Sequence, residues 1–329
     1  MKTMLELASC LAFLAAANSI SEQCTLHENT RITCRCIGNE EFFLPEGYNY
    51  ENVTSLRIAS CTFANLHFSS LTEANRIAEI TVQNISGSLI FELFLTSKTM
   101  KLLKLTNIRR IPLITHDTFL SLSSIETVRI EEVRIDRFEE RFMDITINDF
   151  SMINVTIEHI DGLNFSEKGG TLRIENSVFQ NVTASLNFAY FSNVEILRSK
   201  FHLQKPGHLL IEGDLVSIED CVFSNASANV VAANSITINA TCADGKSSMR
   251  LSSSRIKSVN NRLPTEIVYT GNRRIGGQFL NYNNTVCIAG DCKCPKSSGQ
   301  STRRAAIFIF SSITFQFLLP LTLLTSTIS

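Results

Sequence analysis

The segments TLRIENSVFQNV (171–182), NVEILRSKFHLQ (193–204) and LVSIEDCVFSNA (215–226) are one unit written three times. Ile174, Ile196 and Ile218 advance in steps of 22, as do Leu172, Val194 and Val216, and Phe179, Phe201 and Phe223. Three residues after each isoleucine stands a small side chain, Ser177, Ser199 or Cys221. Apolar and polar residues alternate within each unit, which predicts a strand with one face buried. One such strand cannot bury its face alone. Copies stacked in parallel make one continuous core, so the repeat predicts an all-β fold, a right-handed parallel β-solenoid. The octet LRIASCTF (56–63) repeats the unit earlier in the chain. Looser copies read Ile80-Thr-Val82, Leu103-Lys-Leu105, Val128-Arg-Ile130, Val155-Thr-Ile157 and Ile236-Thr-Ile238. With strands about 4.8 Å apart, nine or ten coils would span roughly 45 Å. The stacking lays Arg173 over Glu195 and gives Asn181 and Asn225 one repeat position. It also sets Cys221 and Cys242 about one coil apart, within reach of a disulfide.

Both ends read as processing signals. Residues 1–21 carry a weak basic start, an apolar run and small residues at Ala15-Ala16-Ala17, the make-up of a secretory signal peptide. Residues 305–329 contain no charged side chain. They follow a polar spacer, 297–304, and small residues at Ser297, Ser298 and Gly299, the pattern of a GPI-attachment signal. Ser298 is the first choice of attachment residue, with Ser297 and Gly299 eligible. A single-pass membrane span is the alternative reading of this segment. Between the ends, the expected division is a cysteine-containing cap at 22–52, solenoid repeats at 53–245 and a second cap at 246–296.

Ten cysteines are present, and Cys10 falls in the signal peptide. Cys24, Cys34 and Cys36 cluster at the front, Cys287, Cys292 and Cys294 at the back, and Cys61, Cys221 and Cys242 lie between. In an oxidising compartment all nine are disulfide candidates. Nine is odd, so one thiol is spare or pairs with another chain. N-x-S/T sequons stand at Asn52, Asn84, Asn154, Asn164, Asn181, Asn225, Asn239 and Asn283. Each predicts a surface position in a glycoprotein. A net charge of −1 without a long basic run gives no footprint for nucleic acid.

The pattern LxIxxSxF at 22-residue spacing over 171–242 resembles the coils of pectate-lyase-type right-handed β-helix proteins. Residues 100–143 resemble leucine-rich repeats through Phe119, Leu122, Ile125, Val128 and Ile130, with Val133 where that family carries an inward Asn. The cysteine clusters resemble the caps of extracellular leucine-rich-repeat proteins. The β-helix resemblance implies a polysaccharide-acting enzyme as one function class, a lyase or hydrolase. Arg255-Ile256-Lys257 matches an R-I-K element of polygalacturonases, but the companion N-T-D, D-D and G-H-G elements do not occur. Asp214 and Asp220 straddle one strand and belong in exposed turns. No nucleophile motif of the G-x-S-x-G kind is present, and the histidines at 27, 67, 116, 159, 202 and 208 are scattered. The mixed-charge stretch around Glu131, Arg134, Arg137 and Glu139 reads as a solvated face, with a partner-binding patch as the sharper alternative.

The expectation is therefore a non-catalytic, GPI-anchored extracellular glycoprotein for cell-surface recognition or adhesion. Its partner would be an extracellular protein or glycan, with no metal, cofactor or nucleic acid. A polysaccharide-acting β-helix enzyme and a single-pass receptor-like protein are the competing classes.

Overall fold

From the second coil onward, the coils turn at a residue in the left-handed region. Ser60, Asn84, Asn107, Glu132, Asn154, Asn176, Arg198, Asp220, Ala240, Asn260 and Asn283 all have φ between 48° and 63°. Most side chains resist this conformation and asparagine tolerates it, which explains why Asn recurs at this corner. In a computed structural model these corners align in an all-β chain that stacks as a parallel solenoid of about ten turns. The structure describes residues 19–21, 23–37, 40–45, 48–67, 74–92, 97–115, 118–119, 121–244, 246–264, 268–269, 278–287 and 292–294, and no helix occurs among them.

Two inward rows precede the corner. The first runs Ile32, Leu56, Ile80, Leu103, Val128, Phe150, Leu172, Val194, Val216, Ile236, Ile256 and Phe279, each in parallel register with the next. The second, two residues on, runs from Cys34 through Ile58, Val82, Leu105, Ile130, Met152, Ile174, Ile196, Ile218 and Ile238 to Ser258, and Asn281, in register after it, is exposed. One expected copy is corrected by this register. Val155-Thr-Ile157 lies beyond the corner, because Phe150 and Met152 hold its coil's place in the two rows. Ile157 belongs to the next side of the coil, where Ile111, Ile135, Ile157, Phe179, Phe201, Phe223 and Ala243 align. On the third side Phe188, Ile211, Val230 and Leu251 align.

The coil spacing stacks the aromatic rings. Phe179 and Phe201 lie 4.7 Å apart and 8° from parallel, and Phe201 and Phe223 lie 5.4 Å apart at 11°. A second column joins Phe119, Phe142 and Phe165 at 5.5 and 5.3 Å. Each fully buried ring contributes about 1.5–3 kcal/mol from apolar burial alone.

Parallel pairing begins at Arg31–Arg35 and continues through Gln278–Tyr282, so coils run into both segments expected as caps. The disulfides sit at these ends. Cys24–Cys34 crosses the antiparallel hairpin of Cys24–His27 and Arg31–Arg35, and Cys36–Cys61 ties the first coil to the second. At the far end Cys287 pairs with Cys292, and Cys242 with Cys294 across 52 residues. A loop of that length removes roughly 4 kcal/mol of unfolded-chain entropy in the loop-closure account.

Cys221 is the exception among the candidates. It is free and buried, and the proposed link to Cys242 does not form. Register separates them: Cys242 aligns with Val222, one residue past Cys221, and its sulfur bonds Cys294 instead. Burial, the largest influence, pushes the Cys221 thiol up to about 12.

Candidate functional site

None of the eight sequon asparagines is buried. Asn52, Asn84, Asn154 and Asn283 are exposed, while Asn164, Asn181, Asn225 and Asn239 are half-buried. Asn84, Asn154, Asn181, Asn225 and Asn283 occupy left-handed corners. The corner therefore explains the asparagine, and a Ser or Thr two residues on makes it a sequon. Asn107, Asn176 and Asn260 hold the same corner without that hydroxyl. The amides divide by hydrogen bonding. Asn52, Asn84 and Asn239 accept through Oδ1, from Arg76, Asn107 and Asn260, and no hydrogen bond engages their Nδ2 among the described residues. Asn181 and Asn225 donate through Nδ2 to the Glu158 and Leu203 carbonyls at 3.0 and 3.1 Å, and Asn283 donates to Asn260 at 2.5 Å. Nδ2 is the atom a glycan would occupy.

The charged stretch around residues 110–161 is paired across coils. Arg110 meets Asp136 at 2.6 Å, Arg134 meets Glu158 at 2.9 Å, and Arg137 bridges Glu139 at 2.5 Å and Asp161 at 2.7 Å. One coil further, Arg173 reaches Glu175 at 2.5 Å and Glu195 at 3.2 Å, and Arg198 also pairs with Glu175. The Arg173 hydrogen bond, followed by the charges of Arg173 and Arg198, holds the Glu175 carboxyl below the usual carboxylate range against the opposing effect of burial. These arginines are about half exposed, so each pair contributes only about 0.2–1 kcal/mol. The ladder satisfies its own charges and reads as a solvated face.

Register also assembles a polar column that sequence reasoning missed. Outward residues His202 and Ser224 pair directly and Asp244 follows Ser224 in the next coil. His202 Nδ1 lies 3.2 Å from Ser224 Oγ, and Ser224 Oγ donates to Asp244 Oδ2 at 3.0 Å. With the hydroxyl proton committed to Asp244, His202 must donate through Nδ1. The serine sits between acid and imidazole, whereas nucleophilic activation needs the imidazole between acid and serine. Burial, partly offset by the Asp244 charge and reinforced by Lys200, holds His202 below its usual value. The column thus describes a neutral, structurally engaged histidine.

His27, His159 and His208 are exposed and apart. Asp214 and Asp220 are exposed, Asp220 at a left-handed corner. Arg255 and Lys257 project from a strand whose Ile256 points inward. Among the described residues, no three or more His, Cys, Asp and Glu side chains come together as a metal site. Nor is any helix among them long and apolar enough to cross a membrane. Residues 1–18, His116, and the anchor candidates Ser297, Ser298 and Gly299 with the 305–329 segment lie outside the described residues. Comparison with protein-family models, curated proteins and solved structures gave no match.

Proposed function

We propose that this chain is a GPI-anchored extracellular glycoprotein that presents its solenoid on the outer leaflet as a non-catalytic surface for recognition or adhesion. The observation that carries the reading is the solvent access of all eight sequon asparagines on a fold whose inward rows are closely packed. Glycans could be added there without displacing a core side chain. Disulfides at both ends of the stack support an oxidising compartment. The composition of 1–21 and 297–329 supports export and a lipid anchor. Strands that continue on both sides of the corner in the segment with leucine-rich-repeat spacing support the β-helix resemblance. Such stacked repeats offer an extended face suited to an extracellular protein or glycan.

The test is to display the full chain on secretory-competent cells and measure attachment to extracellular matrix and to other cells. The same cells are treated with a peptide N-glycosidase, and the chain is followed on gels. The reading predicts a mobility shift of several glycans and attachment above that of cells lacking the chain. An unshifted band, or attachment equal to the control, contradicts it.

A further inference from the structure

A groove of about 370 Å3 crosses the coils between Lys168 and Ala233. Its shape follows from the packing of Phe191. Gly169 and Gly213 stand in register on either side of Phe191, and Ala232 follows Gly213. A Cβ on Gly169 would come within 2.6 Å of the Phe191 ring, and one on Gly213 within 2.7 Å of the Phe191 carbonyl oxygen. No larger residue fits there, so a depression is built into this corner. At its rim Tyr190 adopts φ 71° and remains 48 % exposed. A bulky residue in this region is strained, and here the strain holds an aromatic ring in solvent.

The polar groups of the groove differ from those further along the same strands. Arg173, Glu175, Glu195 and Arg198 are joined in ion pairs. Lys168, Glu212 and Asp214 line the groove, and no side-chain hydrogen bond or ion pair engages them among the described residues. The groove thus offers an aromatic face, two carboxylate acceptors and one ammonium donor. The strands that form it are already paired on both sides, so no edge is free for an added peptide strand. Charges of both signs disfavour a strongly ionic ligand.

We propose that this groove binds an uncharged pyranose of a glycan, stacked on Tyr190 with its hydroxyls bonded by Glu212, Asp214 and Lys168. The proposal rests on the recognition reading above and names its site and ligand class.

The full chain, purified in detergent, is screened against immobilised neutral hexose and N-acetylhexosamine oligosaccharides, uronic-acid oligosaccharides and Lys/Arg-rich peptides. The neutral set is expected to bind. Tyr190→Gly removes the ring and relieves the left-handed strain, so its unfolding midpoint should equal or exceed wild type while affinity falls about tenfold or more. Tyr190→Phe should retain binding, and Asp214→Asn should weaken it. The proposal is overturned if no neutral glycan binds, if Tyr190→Gly binds as wild type, or if only the uronic or peptide set binds. If wild-type chain supports cell attachment while neutral glycans fail to bind, the groove assignment falls alone. If glycans bind and displayed chain gives no attachment, the adhesion reading falls and the groove stands.

Discussion

The early and late coils solve the same corner in two different ways. The residue after each left-handed corner points inward. After Cys61, which is bonded to Cys36, it is Ile85, Ile108, Val133 and then Val155 in the early coils, all buried. The strands Glu79–Glu92, Thr99–Ile114 and Ser124–Phe138 pass through that corner unbroken, and Ile85, Ile108 and Val133 stay in register. In the late coils the position becomes Ser177, Ser199, Cys221, Thr241, Asn261 and Asn284, and side chains bond the corner backbone. Ser177 and Ser199 accept the Val155 and Ser177 N–H groups, both at 3.1 Å, while the Ser199 N–H faces the Cys221 sulfur. Asn261 and Asn284 accept the Thr241 and Asn261 N–H groups at 2.9 and 2.8 Å. Asn261 also donates to the Ile238 carbonyl and to Ser258 Oγ. A buried N–H must find a partner. A continuous ladder supplies it and leaves the inward position apolar; an interrupted ladder hands the task to a polar side chain.

Exchanging the two solutions gives the largest expected effects. Ile108→Asn puts an amide without partners into an apolar corner and should destabilise by about 3 kcal/mol or more. Asn261→Leu removes the acceptor of the Thr241 N–H and the bonds to Ile238 and Ser258, with an expected loss of about 3 kcal/mol. Denaturant unfolding of the purified full chain measures both. If either swap costs under about 0.5 kcal/mol, the size of a neutral surface change, the two corners are not distinct. Ser199→Ala is milder, since one N–H is orphaned and little volume is lost, and should cost about 1–2 kcal/mol.

Cys221 sharpens the contrast chemically. Its thiol is buried in the inward column of Ser177, Ser199 and Thr241 and pushed up to about 12, so the native chain should not alkylate there at pH 8. The peptide containing residue 221 should take up the reagent after unfolding without reduction. Labelling of the native chain at wild-type stability would contradict its place in the column.

The smallest effects concern acid. The Glu175 carboxyl is lowered in the fold, so its contribution is present above the unfolded value near 4.5 and is lost as pH falls through the folded one. His202 is also lowered, so the unfolded chain takes up its proton first and stability declines as pH drops below 6.5. Thermal unfolding against pH should show both windows, with His202→Gln flattening the upper and Glu175→Gln the lower.

The repeat was legible where successive coils have equal length and keep Leu or Val before Ile. It faded where chemistry substitutes for pattern. Phe150 and Met152 hold the two inward rows without matching them in type, so Val155 and Ile157 mimicked the strand. Beyond residue 245 the second row changes from Ile238 to Ser258 and Asn281, and Ser258 anchors Asn261 and Asn284. A reading tuned to buried isoleucines ends the solenoid there, although pairing continues. The Arg173–Glu195 pair followed from the constant 22-residue step. The His202–Ser224–Asp244 column did not, because its second step is 20 residues. The groove at Tyr190 needs the third side of the coil, whose residues follow no visible period.

We propose that this solenoid is held on the cell surface by a lipid. The direct measurement is to tag the chain after residue 21, express it on cultured cells, and treat intact cells with phosphatidylinositol-specific phospholipase C, with nitrous acid as a second cleavage. Transfer of the tagged glycoprotein from cells to medium is the predicted result. Retention on the cells after both treatments, or tagged protein already free in the medium beforehand, would contradict it.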